Sequence, residues 1–280
     1  MHTMHAMERA VTQMTEYMRE SLPLLVPQKD SMQQEFFVLY YDRLLELVDG
    51  ALRLAGQTRD QAPTNVLLRS ALECSVDLHN LAENPNYGYV VRAMMLESSS
   101  SVFHFRTQPA YGELMEKYGR ERVEQLSQEA QNRFRTALKV ATQHFPILQN
   151  ASRNLNVLMR FRIADMEERY QTEYTYLSMV THNDMAVMEL EEQLDNDQSF
   201  DIINDESTYN RCIRFLVDAL KDKTKVFGRD DELVQACMGC LAKLKEKQRR
   251  KETERFDAEQ AANSANFLSS AGKTGNEAEI

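Results

Sequence analysis

Met4, Met7, Val11, Met14 and Met18 recur at three- and four-residue intervals, the spacing of one helix face. That pattern predicts a short amphipathic helix over residues 4–19, closed near Pro23. The stripe must pack on the rest of the chain or on a second copy, and methionine suits either surface. Asp30 or Ser31 can cap a second helix running to about Ala55, with Phe36, Val38, Leu39, Leu44, Leu45, Leu47, Val48 and Leu52 as its apolar positions. Gly56 stops it. Pro63 fits the start of a third helix, about Thr64 to Glu83. Asn84-Pro85-Asn86 reads as a turn. Further helical periods cover about 87–105, 111–118, 121–145 and 151–162. Another runs from Asp165 or Thr172 to about Glu192. Residues 195–206 are acidic and lack a clear apolar period, so they read as a loop. Two more helices follow, to Phe227 and from about 230 to 247. No repeat and no strand pattern emerges.

The pattern therefore predicts an all-α protein. Residues 1–29 form an N-terminal amphipathic helix and linker, residues 30–248 a helical bundle, and residues 249–280 a disordered tail. Composition agrees: among 280 residues only 9 are Gly and 6 Pro, and Trp is absent. No apolar run reaches the roughly 20 residues of a membrane helix. The first residues lack a secretory apolar core. A cytoplasmic protein with reduced cysteines follows. Cys237 and Cys240 have C-x-x-C spacing but no second half-site, so both are expected in the core. No metal or cofactor is expected.

Charge adds one feature. The net charge of −10 disfavours general attraction to nucleic acid or anionic membrane. Yet residues 130–164 hold six Lys and Arg and no acid, while residues 184–206 hold nine acids and no Lys or Arg. Either the two stretches neutralise each other or face solvent separately, or the first forms a basic groove for an anionic ligand.

Two polar stripes break the apolar pattern. Arg69, Glu73 and Asp77 lie at four-residue steps in an otherwise apolar helix. Tyr170, Tyr174, Ser178 and His182 do the same later in the chain. Facing each other, they would bury a polar site in the bundle. Arg69 would hold a phosphate, Glu73 would orient the imidazole, and His182 would move the proton. Tyr174, Ser178 and Asp77 would bind substrate. The alternative is a set of salt bridges that only lock helices together. A metal on Glu73, Asp77 and His182 lacks the Glu-x-x-His motif of helical di-iron sites.

The segments Leu67-Leu-Arg69-Ser-Ala-Leu-Glu73 and Tyr174-Thr-Tyr-Leu-Ser178-Met-Val-Thr-His182 resemble a large bacterial family of uncharacterised all-helical proteins. Its marks are R-x-x-x-E on one helix and Y-x-x-x-S-x-x-x-H on another. The resemblance spans roughly residues 35–228. Similar bundles occur among HEPN-type proteins, many of them ribonucleases of phage-defence and toxin systems. The analogy implies an effector acting on RNA or a nucleotide, although the HEPN spacing of Arg and His is absent here. The rival expectation is a non-enzymatic binding or assembly protein, forming a homo-oligomer through its first helix.

Overall fold

The structure is a computed structural model that describes residues 2–55, 62–101, 109–150, 155–181 and 198–228. Among these residues every regular element is a helix. The expected helix at 230–247, the tail and the Cys237/Cys240 pair lie outside the described residues.

Helix α1 (His2–Ser21) buries Met7, Val11, Met14 and Met18. Its stripe packs on α2 (Met32–Leu54) and on a long helix near the end of the described chain, α10 (Gln198–Phe227). The apolar face foreseen as an oligomer contact is thus covered by the chain itself.

Ser31 is the α2 cap: its Oγ accepts from the Gln34 backbone N at 3.3 Å. Asp30 stands beside it with φ 64°. The buried edge of α2 includes Phe37, Tyr41, Leu44, Leu45 and Val48. Phe37 is fully buried, whereas Leu39, expected in the core, is 58% exposed. A helix of mixed apolar sequence has several near-equal stripes, and packing selects one.

Helix α3 (Ala62–Glu83) is the centre of the molecule, packed between α2 and α10. Leu68, Ala71, Leu72, Val76, Leu78 and Leu81 are fully buried. Each of the leucine and valine side chains contributes about 1.5–3 kcal/mol on leaving water. At Gly50 the two helices come close: a Cβ there would stand 3.0 Å from Leu67 Cδ1. Phe37 meets Phe227 edge-on at 5.9 Å, and Gln34 Nε2 donates to the Val226 carbonyl at 3.2 Å, which ties α2 to the end of α10.

A side layer is built from α4 (Tyr87–Ser101), α5 (Pro109–Tyr118) and α6 (Arg120–His144). The last of these lies along α4 and is polar; among its described side chains only Val123 and Ala141 are buried. Next comes a chain of short elements: α7 (Val157–Ile163), α8 (Glu167–Arg169), a π-turn (Tyr170–Tyr174) and α9 (Thr175–Thr181).

The fold departs from the sequence pattern in two places. The helix expected through residues 165–192 is not one regular α-helix, because the π-turn interrupts its four-residue register. Residues 198–206, expected as loop, are the first turns of α10. Asp201, Asp205 and Glu206 obscured the apolar period there.

Candidate functional site

The α3 stripe meets two partners, one at each end. At the inner end Arg160, from α7, lies across Glu73 and Asp77. Its Nε donates to Asp77 Oδ1 at 2.9 Å and its Nη1 to Glu73 Oε2 at 2.9 Å. Nη2 donates to Asp77 Oδ2 and, at 3.1 Å, to the Glu73 carbonyl. The Tyr87 hydroxyl donates to Asp77 Oδ1 at 2.7 Å, and Asn80 Nδ2 donates to the Arg160 carbonyl at 2.9 Å. Asp77 is fully buried. A carboxylate in that setting must be paired.

Burial by itself would disfavour the Arg160 charge; the Asp77 carboxylate above all, with Glu73, outweighs it and holds the guanidinium above its usual range. The same surroundings act on neutral neighbours. Burial, then the Asp77 carboxylate, raises the Tyr40 and Tyr87 hydroxyls and pushes the Cys74 thiol up to about 12. Cys74 is therefore an inert core thiol at neutral pH.

At the outer end Arg69 reaches Tyr174. Arg69 Nη2 donates to the Tyr174 hydroxyl oxygen at 2.8 Å and Nε at 3.2 Å, while Glu73 Oε1 lies 3.6 Å from Arg69 Nε. The two stripes thus do meet, through Arg69 and Tyr174. Burial, then Glu73, raises the Tyr174 hydroxyl against the opposing Arg69 charge. Tyr174 is fixed from behind: Tyr170 stacks on it at 5.0 Å, and fully buried Phe161 touches both rings at 5.5 and 5.7 Å. Phe161 adjoins Arg160, so one short helix provides both the ion-pair partner and the aromatic support. Ser178 is half-buried one turn past Tyr174. His182 lies outside the described residues.

Arg160, Tyr87 and Tyr40 were not among the expected site residues. A signal existed for the first. Arg160 interrupts the apolar run Val157-Leu-Met159 and Phe161, which marks it as a charge that needs a partner without saying which one. No metal is needed to join Glu73 to Asp77, since the Arg160 guanidinium already bridges them.

Residue 173, next to Tyr174, faces the other way. Glu173 receives Arg169 Nε at 2.9 Å, lies 3.7 Å from Arg211 Nε, and pairs with Arg214. These groups border a cavity of about 460 Å³. Burial lowers Arg214 from its usual value, and the Arg169 and Arg211 charges act in the same direction. One carboxylate thus holds three guanidiniums together.

A third cluster joins α3 to α10. His79 Nδ1 lies 3.5 Å from Asp222 Oδ1, with Glu83 one turn on, and the three offer ligand atoms within 4.8 Å of one another. The residue types would suit a divalent metal. However, Lys225 Nζ pairs with Glu83 and lies 3.6 Å from Asp222 Oδ1, so an ammonium provides the cation there. The hydrogen bond to Asp222 raises His79 above its usual value, against burial.

Among known proteins, a family model matches residues 34–200: DUF5677, a family of unknown function. The chain belongs to that family. The DUF5677 span takes in α2 through α9, and with them Arg69, Glu73, Asp77, Arg160, Tyr174, Ser178 and His182. Helix α1 and all but the start of α10 fall outside it. No curated protein and no solved structure matches the chain. No helix among the described residues is long and apolar enough to cross a membrane.

Proposed function

We propose that the outer end of this network acts on a phosphate-bearing substrate, RNA or a nucleotide, as the working part of a bacterial effector of the toxin or phage-defence type. The supporting observation is a gradient of exposure along one network of hydrogen bonds and ion pairs. Asp77 is sealed and the Arg160 side chain is 11% exposed, whereas the Arg69 and Glu73 side chains are 23% and 24% exposed. The inner half is a rigid support; the outer half leaves a guanidinium and a carboxylate partly exposed, with the buried Tyr174 phenol directly behind them. Such a layered arrangement is how a reactive group is kept in place. Arg69 holds the phosphate, Glu73 accepts or orients a proton, Tyr174 adds a donor, and Ser178 and His182 complete the stripe.

The test is expression of the full chain in a bacterial host, read as growth arrest and as RNA or nucleotide breakdown. Glu73→Gln and the pair Arg69→Ala with His182→Ala should lower activity by about 100-fold or more, the scale of an acid–base group. The far-UV helix signal should persist. Full activity in the double variant would end this reading.

A second reading has its own support. Every described nitrogen of the Arg160 guanidinium is engaged, and its acceptors lie on α3 alone. That saturation is what a purely structural lock between α3 and α7 requires, in a binding or assembly protein without catalysis. It leads to the opposite outcome for Glu73→Gln: a lower unfolding midpoint with no activity to lose.

A further inference from the structure

The acid-free stretch of the sequence has a place in the fold that the α3 centre does not use. Its first half is the C-terminal part of α6, where that helix lies on α4. Between them is a cavity of about 550 Å³. Arg92 of α4 and Arg133 of α6 line it. Both are exposed, and neither has an ion pair or hydrogen bond to a described residue. No acidic side chain is among the lining residues.

This sets the cavity apart from the other basic hollow. There Glu173 already neutralises much of the arginine charge from within the chain. Here two guanidiniums face one hollow with no counter-charge. Two basic side chains lining one hollow, with no acid among its walls, favour an anion there.

The walls limit what that anion can be. Leu96, Ala137 and Val140 are half-buried and give an apolar floor. Tyr89 stands at the edge, with its ring stacked on His144 at 5.1 Å and only 4° from parallel. The volume falls within the range of about 300–1,000 Å³ typical of small-molecule sites. A bare inorganic anion would leave the floor unused, and a purely apolar ligand would leave both arginines unpaired. Guanidinium groups match phosphate oxygens in pairs.

We propose that the α4–α6 groove binds a nucleoside phosphate, with its phosphate between Arg92 and Arg133 and its base on the floor formed by Leu96, Ala137 and Val140. The site is separate from the α3 centre and does not depend on its being catalytic.

The experiment is calorimetric titration of the full chain with AMP, ADP and ATP, beside inorganic phosphate and pyrophosphate. Saturable nucleotide binding is expected. Arg92→Ala and Arg133→Ala should each weaken it at least about tenfold, the scale of a lost charged hydrogen bond. Because both side chains are exposed, these variants should keep the wild-type melting point. Val140→Trp, which fills the floor, should weaken nucleotide and leave pyrophosphate unchanged. Binding should persist in Glu73→Gln, which separates this groove from the α3 centre. The proposal is overturned if no nucleotide saturates the protein, if the double variant Arg92→Ala, Arg133→Ala binds as well as wild type, if pyrophosphate binds as tightly as ADP, or if Glu73→Gln alone removes binding.

Discussion

Arg160→Met should lower the unfolding free energy by about 3–5 kcal/mol, because it strands a buried carboxylate. The position of Asp77 sets the size of that loss. It has no exposure, and Arg160 donates two side-chain hydrogen bonds to it. Methionine keeps much of the volume of the arginine stem but none of its charge. The neutral Tyr87 and Tyr40 hydroxyls that stay beside Asp77 cannot replace a guanidinium. Part of the loss should return in the double variant Arg160→Met, Asp77→Leu, since removing both partners of a buried pair can be nearly neutral. Urea unfolding of the three proteins at neutral pH reads the effect. A loss under about 1 kcal/mol would mean that the pair is open to water, as surface ion pairs are.

Phe161→Ala should cost about 3–5 kcal/mol, the usual range for a large aromatic ring removed from a core. The ring is fully buried and meets Tyr170 and Tyr174 at angles of 70° and 58°. Its loss leaves a space behind the π-turn, so Tyr174 loses its support as well as its contact. The effect should therefore appear twice: in the unfolding midpoint, and as a weakened near-ultraviolet tyrosine signal in the folded protein. Phe161→Leu should fall well short of the alanine variant on both readings. Equal effects of leucine and alanine would show that the ring is not packed where the structure has it.

What the sequence carried, and what it did not, follows from the range of the interactions. The α3 stripe was legible because Arg69, Glu73 and Asp77 stand at local spacing in an apolar helix, and a charge in that setting points inward. Its meeting with Tyr174 was legible for the same reason, as each stripe needs a polar partner. Arg160 as the bridge was not: its own stretch holds six basic residues, and which of them reaches Asp77 depends on how α7 docks. The π-turn has no local mark, since an inserted turn conserves composition and shifts only the register. The helical 198–206 segment was hidden by its acids, and Phe37 by a run in which neighbouring apolar residues compete for the core. His182 lies outside the described residues, so the last member of the stripe stays part of the proposal.

Helix α3 and the Tyr174 segment join through Arg69. A double-mutant cycle with Arg69→Met and Tyr174→Phe, followed by urea unfolding, measures that joint with little else mixed in. The geometry, 2.8 and 3.2 Å to one phenol oxygen, calls for a coupling of about 1–2 kcal/mol, within the scale of a hydrogen bond from a charged donor. Single-variant losses that simply add, to within about 0.5 kcal/mol, would mean that the two residues do not touch, and the site would come apart with them.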